Sequence, residues 1–214
     1  LIGSPPPGGL LSKTPEMALQ LITAPTAEPF TLTEVKEHLR LPLSYTTEDN
    51  TLIWCIKAAR AAAEARTNRV LMPSTWKLTL DKFPSVIRVN KCPLISVTSL
   101  KYYNASNVLT TLTANTHYWV DSVSEPFRII PVNSFPSVYD RPGAVELTFT
   151  AGYSTDATIP IMIKHGMLLT IADMYRHRET IVIGRLVSEL SKNAEWAFDQ
   201  ERLVDGYSGN YQSL

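Results

Sequence analysis

The side chains able to do chemistry are few and scattered. Four histidines, His38, His117, His165 and His177, share no metal-ligand spacing with a cysteine or a carboxylate. His165 and His177 lie twelve residues apart in one helical stretch, too far to share an ion. Metal sites need clustered donors, so surface or interface histidines are the favoured reading and no metal is expected. Cys55 falls in a helical stretch and Cys92 at a strand end before Pro93. Buried free thiols are favoured over a disulfide for such sparse cysteines. Gly152-Tyr153-Ser154 lies between a strand and a helix opening at Pro160, the crossover in which a nucleophilic serine would stand. The second glycine and the short turn of that motif are missing, so a plain loop is the better reading. No phosphate-binding glycine loop and no His-Glu-x-x-His is present. No catalytic residue and no cofactor are expected.

Basic residues offer the next candidate. Lys57, Arg60, Arg66 and Arg69 share one helical stretch, and Arg176 and Arg178 end another. Both sets are interleaved with acids: Glu64 follows Arg60 by four residues, and Glu179 follows Arg178. Solvated faces with local ion pairs explain them better than a nucleic-acid grip. Over the 214 residues, 20 basic side chains balance 20 acidic ones, which gives no global attraction to nucleic acid or to an anionic membrane. No apolar run approaches the roughly 20 residues that span a bilayer, and the first residues lack a secretory signal pattern.

The elements that would position these residues can be placed by pattern. Residues 1–16 carry three consecutive prolines and two consecutive glycines, so they read as an extended arm or a leader. Met17 offers a natural start, which would make that stretch an upstream extension. Thr31 and Glu34 have capping-box spacing, with Phe30 and Val35 placed as a hydrophobic staple. The helix they open is predicted to run to about Leu41 and stop before Pro42. A second, Ala-rich helix follows Thr46 or Thr47 as cap, with Leu52, Ile53, Ile56, Ala59 and Ala63 as its apolar stripe and Asn68 ending it.

Periodicity then changes from 3.6 to 2. Thr75–Leu80, Val86–Val89, Val97–Tyr103, Tyr118–Asp121, Phe127–Ile130 and Val145–Ala151 are strand candidates between Pro, Asn and Ser clusters. Helical spacing returns after Pro160, where Ile161, Leu168, Ala172 and Tyr175 form a stripe beside Met167 and Ile171. A last short helix after Ser191 carries Trp196 and Phe198, and the chain beyond Asp205 turns polar. The fold class is therefore α+β: a helical core, made of an N-terminal helix pair and C-terminal helices, with an antiparallel β-rich insertion. The segments are helices at about 32–69, strands at about 75–151 and helices at about 160–203.

Three stretches, taken in order, resemble one family. They are APTAEPFTLTEVKEHLRL (Ala24–Leu41) continuing to Thr67-Asn68-Arg69; Thr75–Asp81 with Phe83-Pro84, Pro93–Val97 and Tyr118; and Phe149–Tyr153 with Ile159-Pro160 and the helix ending Tyr175–Glu179. Together they look like the tailed-phage head–tail connector (adaptor) proteins, also known as possible DNA-packaging proteins. Asn68 stands where many relatives have glycine, and Ser191 near a common proline; asparagine also adopts the left-handed conformation.

The resemblance implies a single connector domain over residues 17–204 and a polar tail over 205–214. It implies a dodecameric ring beneath the portal protein, which extends the DNA channel, receives a tail or stopper protein and lets packaged DNA pass without specific binding. No membrane partner is implied. The location would be the virion neck, after assembly in the host cytoplasm. The C-terminal segment, from about Trp196, would insert into the portal. Trp196, Phe198, Tyr207 and Tyr211 are its candidate anchors, since aromatics bury large area with few rotatable bonds. Trp196 and Phe198 have an equally open reading as caps of the subunit's own core. The alternatives are a DNA-packaging accessory, a gene transfer agent adaptor and, from another class, a hydrolase with an unrecognised site.

Overall fold

A capping box opens the first helix. Thr31 Oγ1 accepts the Glu34 amide at 3.2 Å, and the Glu34 carboxylate accepts the Thr31 amide at 2.7 Å. Two N–H groups that a helix start leaves orphaned are thereby satisfied. In this computed structural model, which describes residues 17–177, 181–182, 185–186 and 192–203, helix α1 spans Leu32–His38. It ends before the predicted Leu41. Arg40 takes a left-handed φ of 58°, its amide bonds the Glu37 carbonyl, and the Leu41 amide bonds the Lys36 carbonyl. This Schellman arrangement closes the helix before Pro42 can act.

Helix α2 spans Asp49–Thr67, with Glu48 at its N-cap in place of Thr46 or Thr47. No side chain caps it; the first-turn Asp49 instead forms an ion pair with the buried Lys36 at 2.6 Å. Asn68, at φ 57°, ends α2 in the predicted left-handed conformation. Helices α3 (Ile161–Arg176) and α4 (Lys192–Asp199) complete the helical layer. The predicted stripe on α3 is rotated. Ile163, Met167 and Ile171 face the core, while Ile161 is 76% exposed. Ile53 of α2 is likewise outside its buried stripe. Phe30, Val35, Leu52, Ile56, Ala59, Ala63 and Phe198 join the α3 residues in one apolar cluster.

Eight strands form two sheets over a second core. They are β1 (Met17–Thr23), β2 (Ser74–Leu80), β3 (Ile87–Val89), β4 (Leu94–Tyr103), β5 (Leu109–Leu112), β6 (Tyr118–Asp121), β7 (Phe127–Pro131) and β8 (Val145–Ala151). Between α3 and α4, Ile181–Val182 and Arg185–Leu186 pair as a two-stranded ribbon. The large sheet has the order β1-β2-β8-β4-β5 and the small one β3-β7-β6, and their ladders are antiparallel.

Register aligns Met17–Leu80–Val145, Leu19–Leu78–Leu147 and Leu21–Trp76–Phe149 on the inner face of the large sheet. Ile87, Val89, Phe127, Ile129 and Tyr118 of the small sheet close over that face, with Phe127 edge-on to Phe149 at 5.2 Å. Full burial of such a side chain stabilises the fold by about 1.5–3 kcal/mol. The α+β class and the antiparallel sheet between two helical regions stand. Apart from one-residue shifts at the ends of β2, β3 and β7, three strand details differ: β1 and β5 lie outside the predicted strands, and β4 starts at Leu94, not Val97. Because β1 precedes α1, the large sheet is not purely an insertion.

Two glycines sit where the layers meet. Gly152, at φ 129°, follows β8 so closely against the Met72 carbonyl that a Cβ would lie 2.5 Å from it. Its amide donates to the Pro93 carbonyl at 2.9 Å. The Gly-Tyr-Ser stretch is thus a backbone crossing, as its plain-loop reading requires. Gly166 on α3 lets α4 approach, since a Cβ there would meet Phe198 Cε1 at 2.7 Å.

Candidate assembly interface

Helix α4 places its two aromatics on opposite sides. Two residues along a helix turn through about 200°, so a helix that buries Phe198 must present Trp196 to the outside. Phe198 is fully buried against α3, beside Ala194, whereas Trp196 is 59% exposed. Of the two readings open for each, Phe198 takes the core and Trp196 stays available at the surface. Tyr207, Tyr211 and Arg178, with residues 1–16 and 204–214, lie outside the described residues.

The chain after α4 is fastened to the end of α2. Arg66 makes a two-point ion pair with Asp199, at 2.7 and 2.8 Å. The Leu203 amide donates to the Thr67 carbonyl at 2.9 Å, and Asn68 Nδ2 donates to the Leu203 carbonyl at 3.3 Å. Arg69 donates from Nε to the Glu201 carbonyl at 2.9 Å and pairs with Glu125 at 2.8 Å. These contacts fix where the C-terminal segment leaves the body. Hydrogen bonds from the Arg66 guanidinium hold the Asp199 carboxyl below the usual carboxylate range.

The same contacts bear on the basic residues of α2 and on Arg69 just beyond its end. Arg60 bonds Glu28 at 2.7 Å and Glu64 at 3.2 Å, Arg66 bonds Asp199, Arg69 bonds Glu125, and Lys57 lies 5.9 Å from the Trp54 ring. A phosphate backbone is held by cations that exchange counterions for phosphates. The three arginines are already matched to carboxylates, so the local ion-pair reading is the one the geometry favours.

Glu64 carries a testable consequence. Its Oε1 accepts the Leu71 amide at 2.9 Å, yet burial pushes the carboxyl up, against the pull of that amide, Arg60 and Lys91. A raised folded-state pKa favours the protonated form. Its stabilising contribution is therefore full below the ordinary carboxyl range and lost as pH rises through the raised value. Glu64→Gln keeps an acceptor for Leu71 without a buried charge. We expect this variant to melt no lower than the parent at neutral pH, with its advantage shrinking as pH falls; melts across that range check it.

Among the described residues no group of three or more His, Cys, Asp and Glu side chains is placed to hold a metal ion. His117 Nδ1 accepts the Thr113 amide at 3.0 Å, which fixes a turn. Cys55 and Cys92 are both buried, as expected, and share no disulfide; burial pushes the Cys92 thiol up, away from its reactive form. None of the helices in the described residues is long and apolar enough to cross a membrane.

The surface instead offers apolar area. Trp54 on α2 is 73% exposed, and every residue of β1 is exposed. Sequence reasoning passed over both. The one available signal was the absence of any charge in Met17–Thr23. Exposed aromatics and apolar edges bind by burial, which is the work of an assembly surface.

No protein-family model and no curated protein matches the chain. Solved structures do. The fold is similar to a chain in the neck of an empty gene transfer agent (GTA) particle computed with C6 symmetry, with a TM-score of 0.73 and 24% identity over 90% of this chain and 98% of that one. It is similar to a chain in the virion of a native gene transfer agent particle, with a TM-score of 0.72 and 23% identity over 89% and 98%. It is also similar to a chain in the neck of a native GTA particle computed with C12 symmetry, with a TM-score of 0.69 and 24% identity over 90% and 98%. At these identities the likeness establishes a shared fold.

Proposed function

We propose that this chain is a structural head–tail connector subunit and not an enzyme. Copies form a ring of twelve beneath the portal protein, extend the DNA channel and dock a tail or stopper protein. The domain occupies residues 17–204. The segment beyond it inserts into the portal, with Tyr207 and Tyr211 as anchors and Trp196 at its base, while Phe198 holds that base to the body. The subunit works in the particle neck after assembly in the host cytoplasm. DNA passes without being gripped, since Arg60 and Arg66 of α2 and Arg69 beyond it are occupied by carboxylates.

One observation carries this reading: the likeness covers 98% of a neck chain and 90% of this one, so it extends over most of the chain and not over a single motif. The neck and virion structures also favour a second form of the same reading, in which the particle is a gene transfer agent. Its ring and docking logic are the same.

The test is to mix the purified chain with portal rings and with double-stranded DNA at about 150 mM salt, near physiological ionic strength. Co-sedimentation with portal and negligible DNA retention are expected. Salt-sensitive retention on DNA without portal binding would support the packaging-accessory alternative instead.

A further inference from the structure

We infer that β1 is an interlocking strand whose free edge pairs with β5 of a second copy, so that the five-stranded sheet continues from subunit to subunit. This rests on the ring reading above.

Among the described residues, strand β1 has no hydrogen-bonded neighbour but β2, which leaves its outer edge open to another strand. All seven residues, MALQLIT, are exposed and none is charged. Met17 is 53% exposed, Leu21 43% and Ile22 50%. Natural sheets guard such an edge with charge, proline, a bulge or a covering element, because unpaired N–H and C=O groups recruit another strand. Here the one irregularity, between Leu21 and Thr23, falls at the end of the strand.

The inner face of β1 is uncovered as well. At the Met17 end of β1 lies a cavity of about 420 Å³ whose apolar lining includes Leu78, Leu80, Phe83 and Ile87, alongside the charged Asp81, Lys82, Arg88, Asp140 and Arg141. Among the described residues the sandwich is thus one element short on this side.

Charge and symmetry select the partner. At the opposite edge of the same sheet, Leu109–Leu112 of β5 is also uncharged, with Val108 57% and Leu109 43% exposed beside it. Joining two neutral edges strips no ion of its water, whereas a charged edge would carry that penalty. A β1–β1 contact would be isologous and would close as a two-fold dimer, leaving β5 open. A β1–β5 contact is heterologous, consumes both edges of every copy, and closes into a ring when its rotation divides the circle.

Cysteine pairs on the outer face test this. Register puts Ala18 and Gln20 of β1 on the outer face, and Leu109 and Thr111 of β5 with them. The four double variants that combine Ala18→Cys or Gln20→Cys with Leu109→Cys or Thr111→Cys are built into particles and oxidised, with the buried native cysteines left in place. At least one double variant is expected to give a ladder of disulfide-linked multimers on a non-reducing gel, and no single variant is.

Dimers from Gln20→Cys alone would overturn the inference in favour of a β1–β1 contact. So would the absence of multimers from all four variants while the parent chain is present in necks, in which case the ring reading survives. Absence of the parent chain from necks would overturn both. A second variant guards against misfolding: Leu19→Lys should keep the parent's circular dichroism and melting temperature and lower incorporation at least tenfold. Normal incorporation of Leu19→Lys would also count against the β1 edge.

Discussion

Replacing Phe198 by alanine is expected to destabilise the folded chain by about 3–5 kcal/mol, the usual cost of emptying a buried aromatic site. For a chain of this size that is a fall in melting temperature of roughly 6–20 °C. The reason is local. Phe198 is fully buried, and α3 carries a glycine at position 166 to receive its ring, so the vacated space has no side chain ready to fill it. Trp196→Ala, two residues away, should change stability by less than about 0.5 kcal/mol, because an exposed side chain forfeits little on truncation. Its effect should fall on attachment to the portal. Thermal melts and portal co-sedimentation of the two variants separate the roles. Equal destabilisation by both would mean that Trp196 also belongs to the body.

The second large effect is expected from removing residues 204–214. The described fold closes at Leu203, whose amide and carbonyl are both bonded to the end of α2. Truncation beyond it should leave a subunit with the parent's circular dichroism and melting temperature. Attachment to portal-bearing heads should drop by two orders of magnitude or more, since burial of two tyrosine anchors is lost and each is worth on the order of 2 kcal/mol at an interface centre. Normal incorporation of the truncated chain would remove the insertion idea and leave the ring to hold the neck by its body alone.

Much of this architecture was legible in residue order. The switch from helical to alternating periodicity near Ser74 marks the change from one core to the other, because side-chain period follows backbone geometry. The capping box at Thr31 and the left-handed Asn68 are local signals, and both appear where the pattern put them. What escaped was non-local or lacked a compositional cue. Strand β1 pairs Met17 with Leu80, a partner far along the chain, and it follows a Pro/Gly-rich stretch that drew the reading toward an arm. Arg40 closes α1 in a conformation usually left to glycine, so nothing in its type foretold the early stop. The rotation of the α3 stripe depends on where α2 and α4 pack against it, and Gly166 leaves room for Phe198 of α4.

The interface was legible in part for the same reason. That Trp196 and Phe198 diverge follows from helical geometry alone, but which of them faces inward follows from packing. Arg60 had Glu64 within reach by spacing, whereas Glu28, Asp199 and Glu125 come to Arg60, Arg66 and Arg69 only through the fold.

A reconstruction of the neck of the intact particle bears most directly on the claim that this molecule works by being buried between others. Twelve copies in a closed ring under the portal, each with its C-terminal stretch directed into it, is the predicted density. A neck filled by other chains, with this one absent, would contradict the account outright.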